Sequence, residues 1–182
     1  MTVCAEGGVT GGTEASPITS VPVNKTVSAA ENTYAPNTTF NFTVSTGVDN
    51  PGTWDGKEVK KGIAGGLAVV KGATFAPNKD AATSATYTPT NKASLKTNAN
   101  VFEEPGIYHY TVFEENGSYE GITYDTTIYD VYVYVSAKLD ENKNTTKEMY
   151  VSGVVSAKSV DGKITKSDLD FKNAYDGVHK VT

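Results

Sequence analysis

GITYDTTIYDVYVYVSAKL, residues 121–139, carries valine, isoleucine and tyrosine through most of its length. Branched and aromatic side chains fit a pleated, half-buried surface, so the run reads as extended strand. DENKN (140–144) supplies a polar turn, and KEMYVSGVVSAKS (147–159) follows as the hairpin partner. Upstream, GIYHYTVFEE (106–115) is a strand entered from a Pro-Gly turn. Downstream, SDLDFKNAY (167–175) is the last strand. TTFNFTVS (38–45) alternates, with Phe40, Phe42 and Val44 on one face. SVPVNKTVSA (20–29) places Val21, Val23 and Val27 on one face. Helical periodicity never extends beyond a turn or two. Many short strands with polar turns predict an all-β antiparallel sandwich.

Residues 46–100 hold the pattern least. DNPGTWDGKEVKKG (49–62) carries turn signals and charge, and GGLAVVKGATFAP (65–77) holds one or two short strands. TSATYTPT (83–90) alternates weakly, and the region leaves room for a short helix. With no internal repeat, one domain spans 19–176. Residues 1–18 read as a small, polar, Gly-rich flexible tail, with Met1 heading a mature or truncated chain. Residues 177–182 read as a linker into a following domain.

Bulk properties remove several functions. The 182 residues are 38% hydrophobic and 20% charged, with a formal net charge of −5. That charge offers no basic footprint for nucleic acid or an anionic membrane. No apolar run is long enough to span a bilayer. One cysteine, Cys4, and two histidines, His109 and His179, cannot build a zinc cluster or an internal disulfide. GIAGGLAVVKG lacks the ending of a phosphate loop, and no cofactor is expected. Adjacent carboxylates such as Glu103/Glu104 and Glu114/Glu115 face opposite ways on a strand, so neither pair forms a glycosidase centre.

Three polar residues fall on apolar strand faces. Lys25 shares the valine face of the first strand. Glu114 shares parity with Tyr108, Tyr110 and Val112, and Asn173 with Leu169, Phe171 and Tyr175. Singly, each has an ordinary explanation: a snorkelling lysine, an exposed strand-end glutamate, a satisfied asparagine. Together they are an amine, a carboxylic acid and a carboxamide. Burial drives lysine toward its neutral, nucleophilic amine and glutamate toward its protonated acid. A protonated carboxyl polarises the carboxamide and relays a proton to leaving ammonia. The product is an amide between the Lys25 and Asn173 side chains.

The chain resembles the isopeptide-linked domains of Gram-positive backbone pilins, and most closely the streptococcal-type pilin isopeptide linkage domain. VNKTV (23–27), NTTFNFTV (37–44), FEEPGIYHYTVFEENG (102–117), GITYDTTIYDVYVYV (121–135) and FKNAY (171–175) carry the resemblance, over about 20–175. It implies an immunoglobulin-like, CnaB-like sandwich with Lys25 as reactive lysine, Glu114 as catalytic glutamate and Asn173 as the asparagine. It also implies an exported, cell-wall-anchored shaft protein, joined by sortase to neighbouring pilin subunits and open to host surface ligands. Lys166, or alternatively Lys163, lies where relatives carry the lysine that accepts the next subunit. No LPxTG-like signal occurs, so the resemblance implies a segment of a longer protein. Self-crosslinking happens once per molecule and is not enzymatic turnover. Two rival readings are the stalk of a non-pilus adhesin and a carbohydrate-binding sandwich using Trp54 and the Tyr132/Tyr134 pair.

Overall fold

The computed structural model describes residues 7–77 and 86–177. Its strands, in chain order, are β1 (Val9–Gly11), β2 (Ser20–Ala29), β3 (Thr38–Phe40), β4 (Phe42–Ser45), β5 (Thr53–Trp54), β6 (Lys57–Lys61), β7 (Leu67–Lys71), β8 (Ala73–Phe75), β9 (Thr86–Tyr87), β10 (Ala93–Thr97), β11 (Gly106–Glu114), β12 (Ile122–Thr123), β13 (Ile128–Leu139), β14 (Thr145–Val160), β15 (Lys163–Lys166) and β16 (Asp170–Tyr175). The short helix for which the middle region left room is a single 3-10 turn at its end, Ala99–Val101, capped by the Asn98 side chain.

Two sheets face each other as an immunoglobulin-like β-sandwich. One is ordered β1-β14-β13-β11-β6-β5, with β4 also on β11 and β15 also on β14. The other is ordered β12-β16-β2-β10-β7, with β9 also on β2. β3 and β8 form a separate pair. Most neighbours are antiparallel, but the first long strand and the last, β2 and β16, run parallel side by side. Alternation sends Val21, Val23, Val27, Phe40, Phe42, Tyr110, Val112, Val131, Val133, Leu169 and Phe171 into one core between the sheets. A smaller cluster of Val59, Ile107, Tyr132 and Val155 covers part of the outer face.

Three runs differ from their sequence reading. Residues 38–45 break at Asn41, where the chain passes from β8 to β11 while Phe40 and Phe42 both stay buried. The 121–139 run breaks between Thr123 and Ile128, because β12 pairs with β16 in one sheet and β13 with β11 in the other. Residues 7–18, read as flexible tail, are instead seated. Val9–Gly11 pairs with Val155–Gly153 of β14, and Ile18 is buried. Gly8 (φ +82) donates its N–H to Asp168 Oδ1 at 2.7 Å. A Cβ on Gly8 would lie 2.6 Å from the carbonyl oxygens of Ser156 and Ser167, so only glycine fits this approach. Cys4, His179, residues 83–85 of TSATYTPT and linker residues 178–182 lie outside the described residues.

Candidate functional site

The strand parities converge. In the parallel β2–β16 ladder, Lys25 is registered with Phe171 and Val27 with Asn173. Lys25 and Asn173 are therefore diagonal neighbours on one face, within reach of a long side chain. Glu114, the last residue of β11, projects toward them from the opposite sheet. All three are buried, with Lys25 2%, Glu114 5% and Asn173 3% exposed.

The surroundings set the charge states. Lys25 Nζ contacts Glu114 Oε1, and neither side chain has any solvent exposure. Phe40 lies beneath the amine, its ring centroid 4.7 Å from Nζ. Phe171 packs against Phe42 and Tyr129 at 4.8 and 5.0 Å between centroids, completing an apolar wall. Desolvation by burial pushes the Lys25 pKa down, while the hydrogen bond and charge of Glu114 pull the other way. Apart from their mutual contact, Lys25 Nζ and Glu114 Oε1 have no hydrogen-bond partner, and Asn173 Nδ2 has none. A buried amide nitrogen without an acceptor is costly. The amine, carboxyl and carboxamide have the chemistry for one transamidation with loss of ammonia.

Asp125 completes the site, and the sequence reading did not include it. Its backbone N–H donates to Asn173 Oδ1 at 2.8 Å and reaches Glu114 Oε2 at 3.3 Å. An N–H requires an acceptor, so this bond fixes which way the Asn173 carboxamide points. The Asp125 carboxylate turns outward, accepting the Thr127 N–H at Oδ1 and the Lys172 N–H at Oδ2, each at 2.8 Å. Burial raises its pKa, but these hydrogen bonds and Lys25 outweigh burial and hold it below the ordinary value. The local signal was D-x-T in YDTT, the spacing of an Asx turn.

Other candidates stand apart from this core. Lys163 and Lys166 lie at the two ends of exposed β15. Lys166 borders an outer groove with Trp54, Tyr134, Val155 and β1. Trp54 stacks on Tyr132 at 4.2 Å between centroids, so the three aromatics of the carbohydrate reading do come together. His109 is held to Asp130 Oδ1 at 2.7 Å beneath that stack. Glu104 pairs with Lys60, and Glu115 accepts the Thr43 hydroxyl proton on the side opposite Glu114. No cluster of three or more metal-ligating side chains occurs among the described residues.

Comparison with known proteins identifies a family. Residues 21–176 match the family described as FctA, Spy0128-like isopeptide containing domain. The major pilin protein T-13 of Streptococcus pyogenes is similar in structure, with a TM-score of 0.62 and 26% identity over 93% of this chain and 55% of that one. A major pilin of Streptococcus pyogenes gives a TM-score of 0.58 and 28% identity over 87% of this chain and 51% of that one. The major pilin T3.2 of the same organism gives 0.56 and 26% over 92% and 54%. This chain thus spans about half the length of the pilins it matches. No curated protein matches it significantly. Fold, buried Lys–Glu–Asn site and sequence match together show that the chain belongs to the FctA, Spy0128-like isopeptide containing domain family.

Proposed function

We propose that this chain is a structural domain of a Gram-positive surface pilus, locked by a self-formed amide bond between Lys25 and Asn173. Glu114 promotes the bond. The observation that carries this reading is the enclosed Lys25–Glu114 pair beside an Asn173 Nδ2 that has no acceptor. Glu114 takes a proton from the Lys25 ammonium, and burial favours the resulting neutral pair. The amine then attacks Asn173 Cγ. Glu114 passes a proton to Nδ2, and ammonia leaves. The reaction runs once per molecule, so the domain is its own substrate and not a turnover enzyme.

The bond suits a fibre under shear. It joins the first long strand to the last, so tension on the chain ends passes through Lys25 and Asn173 and bypasses residues 26–172. An amide is not reducible, so it needs no oxidising compartment. Similarity to streptococcal major pilins supports assembly with neighbouring subunits at the cell surface. Sortase would join the next subunit to Lys166, whose exposed edge position beside an outer groove supports it over Lys163. A non-pilus adhesin stalk would use the same bond. Sortase-dependent crosslinking lost in Lys166→Ala distinguishes the pilus from the stalk.

Intact mass under denaturing, reducing conditions tests the bond. The expected result is a mass one ammonia below that of the sequence, restored in Lys25→Ala, Asn173→Ala and Glu114→Ala. Full mass in the folded wild-type chain overturns the reading. In that case glycan binding dependent on Trp54 becomes the leading alternative.

A further inference from the structure

A buried carboxamide attacked by an amine must place a full negative charge on its oxygen. In an apolar core that charge needs a donor already aimed at it. Glu114 contacts the amine through Oε1, and the hydrogen bond at Asn173 Oδ1 comes from elsewhere. The atom in position is the Asp125 N–H, 2.8 Å from Asn173 Oδ1. We propose that the backbone N–H of Asp125 is the oxyanion donor of the Lys25–Asn173 reaction. This rests on the reading that the bond forms.

The topology explains why this N–H is available. β12 leaves β16 after the Thr123–Ala174 pair, and the chain crosses to the other sheet to begin β13. At the crossing, the Asp125 N–H has no ladder partner and turns inward. The Asp125 carboxylate takes over the ladder, accepting the Lys172 N–H where β12 has departed, and closes the turn on the Thr127 N–H. Two hydrogen bonds thus anchor the side chain of the residue that carries the donor. A backbone group fixed this way needs no reorganisation when charge develops.

The donor is also shared in a useful sense. In the unreacted site the same N–H reaches Glu114 Oε2 at 3.3 Å. The Lys25 ammonium first gives a proton to Glu114, which removes the negative charge from that carboxyl. The Nζ lone pair then forms the Nζ–Cγ bond, and the carbonyl π pair moves to Oδ1. The Asp125 N–H now faces a charged oxygen on one side only. Collapse of the oxyanion restores C=O and breaks Cγ–Nδ2. Nδ2 leaves as ammonia with the proton held by Glu114, and Glu114 takes the second proton from Nζ. Ammonia or water later removes that proton.

The test replaces this one N–H. Cell-free synthesis with nonsense suppression places the α-hydroxy analogue of aspartate at position 125, so an ester oxygen stands where the N–H was and the side chain is kept. Ammonia loss is followed by intact mass after synthesis is stopped. The ester chain should react about 10²–10³-fold more slowly than wild type. The same ester in a Lys25→Ala chain, which cannot form the bond, reports folding by thermal melt. The same analogue placed at Asp140, whose N–H donates to Asn144 O in a turn away from the site, also removes a backbone N–H and should react at close to the wild-type rate. An ester chain that reacts at the wild-type rate overturns the proposal. So does an unreacted Lys25→Ala chain whose Asp125 amide shows no scalar coupling through the hydrogen bond to Asn173 Cγ, a measurement that decides the matter if the ester chain cannot fold. A wild-type chain that never loses ammonia defeats the underlying bond instead.

Discussion

Lys25 of β2 and Glu114 of β11 meet between the two sheets, amine against carboxylate, with neither side chain touching solvent. Removing two charges from water costs several kcal/mol per ion, and their attraction repays this only with good additional hydrogen bonding. Here Lys25 Nζ and Glu114 Oε1 have no further partner, and the one additional bond is the Asp125 N–H to Glu114 Oε2 at 3.3 Å. The pair is thus a poor stabilising device and a good starting point for a reaction that consumes the charge.

Asn173→Ala should abolish the proposed bond and lower unfolding free energy by about 5 kcal/mol, from loop entropy over nearly the whole domain. Guanidinium midpoints of the two chains check this. Reducing agent should shift neither.

Glu114→Ala should cost more than Asn173→Ala. Both lose the bond, but only Glu114→Ala strands Lys25 without its partner, for a further penalty of about 3–5 kcal/mol. Equal midpoints for the two variants would contradict a partnered Lys25.

The unbonded Asn173→Ala chain should become more stable as pH rises. Burial holds the Lys25 pKa below its ordinary 10.5. Between the lowered folded value and 10.5, the unfolded chain carries a proton that the folded chain lacks, so stability climbs across that window and then levels. Tyrosines such as Tyr110, pushed up to about 12, act equally with or without Lys25. Urea midpoints against pH, compared with the Lys25→Met, Asn173→Ala double variant, isolate the lysine. No Lys25-dependent rise would contradict the lowered value.

Pulling on the ends of the wild-type chain should yield no length from residues 26–172. Asn173→Ala should release that segment, about 500 Å at the extended length per residue. Single-molecule force traces give the difference directly.

Gly8→Ala should loosen β1 without affecting the bond. The added Cβ would meet two backbone oxygens 2.6 Å away at a positive φ. Faster amide exchange at Ser156, whose N–H donates to Gly8 O, should accompany an unchanged ammonia deficit.

Much of this was legible in the sequence, because strand alternation is local. The parity of SVPVNKTVSA, GIYHYTVFEE and SDLDFKNAY put Lys25, Glu114 and Asn173 on buried faces, and the structure keeps all three there. Less legible were features set by distant partners. The Gly-rich segment around Val9 has the composition of a loose tail, and it becomes a strand only because β14 offers an open edge and Asp168 captures Gly8. The 121–139 run looks continuous because its residue types suit a strand throughout. Its break depends on which sheet each half joins.

The sequence by itself determined an all-β chain with three polar side chains facing inward, since a two-residue period needs no knowledge of neighbours. Only the tertiary structure decided that β2 and β16 lie parallel, that Glu114 reaches across from the other sheet, and that the Asp125 N–H meets Asn173. Asp125 and Asn173 are 48 residues apart in the chain, and Gly8 and Asp168 are 160 apart. Separations of that size are closed by the packing of the two sheets, which no local pattern of side chains records.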